Sequence, residues 1–233
     1  MKLQIGGFQK VTLLDFPKRV ACIIFTIGCN YRCPFCQNSE LTSYNIEVSN
    51  TEEDILNYLE KRKGIIDGIS ISGGEPTLQK GLEDFIRKVK KKGFQVKLDT
   101  NGSKPQVLEK LINEKLLDYV AMDIKNDFLH YDEITGIKNF NPKNIEESIE
   151  IIKNSGIEYE FRTTVIKEYH SIDNIKCILN VIGKDAKYYL QNFKDSENVP
   201  KHELHGFTDD ELNFIRNELI KDYPNLKIRG LKS

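Results

Sequence analysis

The chain has 233 residues, enough for one sizeable core, and sets 34 Lys and Arg against 35 Asp and Glu for a formal net charge of −1. That balance excludes the basic signature of a nucleic-acid binder, and the lysine run Lys88 to Lys92 falls on a helix with an apolar stripe, where it reads as a solvated face. No apolar run reaches membrane length, the start has no charged-then-apolar signal pattern, and five cysteines, an odd number, do not suit a secreted disulfide scaffold, so a cytoplasmic protein is expected.

Residues 1–18 carry two short apolar alternations, around Gly6-Gly7 and Pro17, expected as a small β-element leading into the sheet. Val20 to Ile27 is apolar and β-branched and reads as a buried strand, after which Gly28 lets the chain turn into Cys29-Asn30-Tyr31-Arg32-Cys33-Pro34-Phe35-Cys36. Ser49-Asn50-Thr51-Glu52 has the form of a capping box for a helix running to about Arg62. Gly68 to Ser72 is a short strand ending in Gly73-Gly74-Glu75-Pro76, followed by a helix with its stripe at Leu82, Phe85, Ile86 and Val89. Gln95 to Asp99 is the next strand, and Ser103-Lys104-Pro105-Gln106 starts a helix with a cap and an early proline.

Tyr119 to Asp123 is again a strand. Asn126 to Pro142 is less regular and leads to a helix from about Asn144 to Asn154. Ile157 to Ile166 reads as the longest strand, Ser171 to Ile182 as a helix, Lys187 to Gln191 as a strand, Thr208 as the cap of a final helix, and Leu226 to Arg229 as a last strand. Helix, glycine and strand recur at Gly93, Gly156 and Gly183. Strands alternating with helices imply a parallel sheet with right-handed crossovers. Six or seven units fit an α/β fold that is a partial, open (β/α)6-type barrel with outer helices, as a single domain over residues 1–233.

Three thiols within eight residues, at the end of a buried strand, form a metal-site pattern. A zinc knuckle would need a fourth ligand; the nearest histidine in sequence is His130, and Cys22 and Cys177 fall in a strand and a helix. Three ligands without a fourth suit an iron–sulfur cluster with one iron left open. In barrel-type α/β proteins functional groups gather at the C-terminal ends of the strands. Here those ends carry the cysteines, Gly73-Gly74-Glu75, Asp99-Thr100-Asn101-Gly102 and Asp123-Ile124-Lys125, with Arg162 inside the fifth strand. Taken alone, the glycine pair or the Asp-Thr-Asn-Gly run would serve a turn.

The C-x3-C-x2-C spacing of Cys29, Cys33 and Cys36, with Phe35 before the last cysteine, resembles the radical S-adenosylmethionine superfamily. The resemblance implies that the three thiolates hold a [4Fe-4S] cluster whose open iron takes S-adenosylmethionine, and that one electron from the cluster yields a 5′-deoxyadenosyl radical. It also implies that Gly73 and Gly74, with Glu75, bind the methionyl ammonium. Leu98-Asp99-Thr100-Asn101-Gly102 and Met122-Asp123-Ile124-Lys125 further resemble the activating enzymes of glycyl-radical enzymes, typified by pyruvate formate-lyase activating enzyme. That narrower resemblance implies a monovalent cation at Asp99 and Asp123, with backbone oxygens of Thr100 and Ala121, and places Asp123, Lys125 and Arg162 beside the cofactor.

Val11 to Pro17, Cys36-Gln37-Asn38 and Tyr189 to Phe193 also resemble this group, and the subgroup most like the chain is that of anaerobic ribonucleoside-triphosphate reductase activating proteins. Formate-lyase activases carry a histidine where this chain has Asn192-Phe193. The expected activity is therefore hydrogen abstraction from a glycine of a partner glycyl-radical enzyme, a class III ribonucleotide reductase, with flavodoxin or ferredoxin as electron donor and no nucleic acid or membrane involved. The alternatives are an activase of another glycyl-radical enzyme, a radical enzyme acting on a small molecule, such as a deazaguanine synthase, and a non-enzymatic metal-binding module.

Overall fold

The computed structural model describes residues 2–138 and 140–231. At its centre is an eight-stranded sheet whose strands lie side by side in chain order. β1 (Ile5–Thr12) runs antiparallel to β2 (Ala21–Thr26). From β2 onward every neighbouring pair is parallel, through β3 (Gly68–Gly73), β4 (Gln95–Thr100), β5 (Tyr119–Asp123), β6 (Glu158–Val165), β7 (Tyr188–Asn192) and β8 (Leu226–Arg229). The crossovers hold α1 (Glu52–Lys61), α2 (Leu82–Lys91), α3 (Pro105–Asn113), a short α4 (Tyr131–Thr135), α5 (Pro142–Asn154), α6 (Ile172–Ile182) and α7 (Asp209–Leu219). β1 and β8 are not paired with each other, so the barrel is open, with seven parallel strands, β2 to β8.

The strand pattern explains which side is which. On β6 the odd-numbered Phe161 and Val165 lie in the apolar core under the helices, whereas Glu160, Arg162 and Thr164 face the barrel interior. The helices supply matching stripes, such as Leu82, Phe85, Ile86 and Val89 on α2 and Ile175, Ile178, Leu179 and Ile182 on α6. No helix among the described residues is long and apolar enough to cross a membrane.

Several boundaries differ from expectation, for local reasons. Thr51, not Ser49, caps α1, in a reciprocal box with Asp54. Ser49 is instead tied to β1, its N–H donating to Ile5 O at 3.0 Å, and Glu52 accepts from Leu3 N at 2.7 Å and Lys88 Nζ at 2.6 Å. The N-cap of α3 is Lys104, without a side-chain bond, because the Ser103 hydroxyl accepts from Asn30 Nδ2 at 3.0 Å. α5 begins at Pro142 behind an Asn141 cap, two residues earlier than expected, and the irregular stretch before it contains α4. β6 shares its length of eight residues with β1.

The rim is less open than the partial barrel suggests. Beyond β7, residues 193–207 run as a strap onto the cysteine loop beyond β2. Lys201 N donates to Pro34 O at 3.1 Å, Gln37 Nε2 donates to Lys194 O at 3.1 Å, and the Ser39 hydroxyl donates to Asn198 O. Val199 and Leu204 anchor the strap by burial. It therefore ties the chain beyond β7 to the loop beyond β2.

Candidate active site

The ends of β2 to β7 enclose a cavity of about 240 Å³. The residues given a role from the sequence line it, apart from Ala121: Cys29, Cys33, Phe35 and Cys36 from the loop after β2, Gly73, Gly74 and Glu75 at and after the end of β3, Asp99 and Thr100 on β4, Asp123 and Lys125 at and after β5, and Arg162 on β6. Residues to which the sequence reading gave no individual role share the wall, among them Tyr31, Asn38, Asn101, Thr164 and Gln191. The period-2 rule could have pointed to Thr164, two residues beyond Arg162 on the same face, and to Gln191, which pairs with it across to β7.

The cysteine loop is held in place by backbone. Gly28 N and Cys29 N donate to Leu41 O at 2.7 Å and Thr42 O at 3.2 Å, and Arg32 N donates to Thr135 O at 2.7 Å. Tyr31 stands edge-on to Tyr131, with ring centroids 6.3 Å apart. Burial pushes the Cys29 thiol up to about 11 and the Cys33 thiol up to about 12, and Cys36 upward as well. Buried thiols without a compensating positive centre rest as neutral groups; a bound iron centre supplies that charge. Three sulfur donors on one wall thus fit an iron–sulfur cluster, and Cys29, Cys33 and Cys36 would hold it. Among the described residues no three His, Cys, Asp or Glu side chains converge in the way a single zinc ion requires. Cys22 is buried on β2 and Cys177 is exposed on α6, both outside the cavity.

Gly73 and Gly74 have a visible steric reason. A Cβ at Gly73, which sits at a φ of +111°, would strike the backbone of Thr26, and one at Gly74 would strike the carbonyl of Gly28. The glycines let the end of β3 lie directly against the cysteine loop, where Gly74 N donates to Thr26 O and Glu75 N to Gly28 O, both at 2.8 Å.

Glu75 is held by groups of the chain itself. Its side chain is 1% exposed, and its carboxylate accepts from Thr77 N at 3.1 Å, the Thr77 hydroxyl at 2.5 Å, the Thr100 hydroxyl at 2.8 Å and Asn101 N at 2.7 Å. It braces the end of β3 against the end of β4. Asn101 Nδ2 donates onward to Asn30 Oδ1 at 3.0 Å, which links the brace to the cysteine loop. Burial raises the Glu75 carboxyl above its ordinary value, and the four donors oppose that rise.

The charged floor of the cavity is built from alternate residues of β4, β5 and β6. Arg162 Nε donates to Asp123 Oδ1 at 2.7 Å, its Nη2 lies 3.6 Å from Asp99 Oδ2, and Lys125 Nζ donates to Asp123 Oδ2 at 3.1 Å. Burial alone would raise the Asp123 carboxyl, but Arg162 and Lys125 outweigh it and hold it well below the usual carboxylate range. Beneath this layer Arg229 grips Glu160 with two bonds of 2.7 Å, and Tyr119 donates to Glu160 at 2.8 Å. His170, buried and lowered from its ordinary value by burial, contacts Lys125 O through Nε2 at 2.9 Å and accepts from Ile166 N at 3.2 Å, which fixes the chain at Lys125.

A family model for the Radical SAM superfamily matches residues 23–176, and the chain belongs to that superfamily. It is 35% identical over 201 residues to a Methanocaldococcus jannaschii protein named "Putative glycyl-radical enzyme activating enzyme", covering 84% of this chain and 82% of that one. It is 28% identical over 184 residues to the 7-carboxy-7-deazaguanine synthase of Thermococcus kodakarensis, covering 70% of each. Among solved structures, Streptococcus suis SuiB bound to S-adenosylmethionine superposes with a TM-score of 0.68 at 19% identity, covering 88% of this chain and 48% of that one, less than half of its length. The likeness supports the open barrel fold. The protein is a radical S-adenosylmethionine enzyme.

Proposed function

We propose that this enzyme activates a glycyl-radical enzyme by abstracting a hydrogen from one glycine of that partner. A class III ribonucleotide reductase is the proposed target, and flavodoxin or ferredoxin the proposed reductant. A [4Fe-4S] cluster on Cys29, Cys33 and Cys36 would supply the single electron that breaks a carbon–sulfur bond of S-adenosylmethionine. The chain's own groups bind and orient: Gly73 and Gly74 offer backbone at close range, Arg162 and Lys125 present positive charge suited to a carboxylate, and Phe35 and Tyr31 keep water from the cysteine loop.

The observation that carries this reading is the likeness to the Methanocaldococcus jannaschii protein named "Putative glycyl-radical enzyme activating enzyme", which runs over 84% of this chain and 82% of that one at 35% identity. The hydrogen donor in this reading is a segment presented from outside, as a partner's glycine loop would be. The test is anaerobic: reduced, cluster-reconstituted protein with S-adenosylmethionine should convert a candidate partner to a form with a glycyl-radical doublet in electron paramagnetic resonance. 5′-Deoxyadenosine should accumulate in step with the doublet. Deoxyadenosine formed only with a small metabolite, such as a deazaguanine precursor, and no doublet with any glycyl-radical protein, would overturn the proposal.

A further inference from the structure

The activating-enzyme resemblance implies a monovalent cation held by Asp99 and Asp123. The residues present do not fit one. The two carboxylates have four oxygens, and each already faces a positive side chain. Lys97 Nζ donates to Asp99 Oδ1, Arg162 Nη2 lies 3.6 Å from Asp99 Oδ2, Arg162 Nε is 2.7 Å from Asp123 Oδ1, and Lys125 Nζ is 3.1 Å from Asp123 Oδ2. An added cation would compete for these lone pairs against three fixed like charges.

Lys97 is the unexpected member. It lies on β4 two residues before Asp99, so both side chains face the barrel interior, and its side chain is 2% exposed. A buried ammonium is retained only where it is paired. Of the other buried carboxylates nearby, Glu160 is taken by Arg229 and Tyr119 and lies 3.9 Å from Arg162, and Glu75 accepts from Thr77, Thr100 and Asn101. Within the directly paired group, the three cations Lys97, Arg162 and Lys125 already outnumber the two carboxylates Asp99 and Asp123, and a further cation would add to that excess.

We infer that Lys97 supplies from within the chain the positive charge that a bound monovalent cation would otherwise bring to Asp99, so that S-adenosylmethionine binding here is independent of small cations. Lys97 is a positioning residue: its ammonium neutralises Asp99, which leaves Arg162 directed at Asp123 and the cavity. The inference rests on the cavity being the S-adenosylmethionine site and not on which molecule gives up the hydrogen.

The test measures binding. Equilibrium dialysis of S-adenosylmethionine against cluster-reconstituted protein would be run anaerobically at constant ionic strength, replacing tetramethylammonium chloride stepwise by potassium or sodium chloride. Wild-type affinity should stay within about twofold across the series. Lys97→Met should bind roughly ten- to a hundredfold more weakly in tetramethylammonium and recover on addition of potassium or sodium, and Lys97→Arg should stay near wild type. Wild-type affinity that climbs with potassium, or a folded Lys97→Met protein that no small cation rescues, would overturn the inference. Should Lys97→Met fail to fold, the wild-type series decides alone, with Lys97→Gln as the second variant. Absence of binding in every salt would instead remove the S-adenosylmethionine site itself, which keeps the two failures distinct.

Discussion

The two mouths of the barrel are made from the same strands yet do opposite work. At the strand-start mouth the β1–β2 connection folds Phe16 inward, fully buried among Ala21, Tyr119 and Ala121. Arg19 lies over the Phe16 ring at 4.9 Å and pairs with Glu158 at 2.7 Å, which seals the plug. At the strand-end mouth the same inward face carries thiols, carboxylates and cations around a cavity. β5 shows the change within one strand: Tyr119 and Ala121 pack the plug, and Asp123, next on that face, enters the charged floor. Position along the strand, more than the strand itself, assigns a residue to stability or to chemistry.

Substitutions at the two mouths should therefore separate cleanly. The largest effect is expected from Cys33→Ser, which removes one of the three thiols proposed to hold the cluster. Cleavage of S-adenosylmethionine should fall to background and iron content should drop, while the melting temperature of the metal-free chain stays close to wild type. Full iron and full cleavage in that variant would break the assignment of the thiols.

Phe16→Ala should do the reverse. It empties a large buried site, at a cost of about 3–5 kcal/mol in denaturant unfolding, and should leave iron per folded chain unchanged. A variant of normal stability but reduced iron would show that the plug belongs to the active site after all.

Asp123→Asn is the intermediate case. It removes one partner of Arg162 and Lys125, and charge-assisted contacts of this kind are worth about 1.5–3 kcal/mol. S-adenosylmethionine affinity should fall roughly ten- to a hundredfold with the cluster retained. Because its neighbours hold the Asp123 carboxyl below its ordinary range, its contribution is present above the ordinary carboxylate value and is lost only as pH falls through the depressed one. Affinity that collapses on acidification through about pH 4 in wild type, but not in Asp123→Asn, would contradict that order of charges.

The smallest effect concerns thiols away from the cavity. Cys177 is exposed, whereas burial pushes Cys22 up to about 12. Brief alkylation of the metal-free chain near neutral pH should modify Cys177 first and leave Cys22 protected, as read by peptide mass spectrometry. Cys177→Ser should keep the wild-type iron content.

Much of this was legible in the amino-acid order because strands, glycines and thiols leave local marks. The cysteine spacing, the apolar runs of β2 to β7 and the Thr208 cap could be read within a few residues, and the convergence of strand ends follows from parallel topology. What escaped depends on partners far along the chain. Ser49 and Ser103 look like caps until β1 and Asn30 claim them. The bonds that hold the Glu75 carboxylate come from Thr100 at the end of β4 and Asn101 just beyond it, 25 and 26 residues along the chain. Lys97 is a polar residue in a strand until the register sets it beneath Asp99, and no local pattern shows that the strap at 193–207 reaches back to the cysteine loop.

The measurement that tests the central claim most directly is anaerobic reconstitution with iron and sulfide, followed by electron paramagnetic resonance of the reduced protein with and without S-adenosylmethionine. The account predicts about four irons per chain, bound through Cys29, Cys33 and Cys36, and a cluster signal that changes shape when S-adenosylmethionine is added. A chain that takes up a single zinc ion, or a reduced cluster whose signal is indifferent to S-adenosylmethionine, would contradict it.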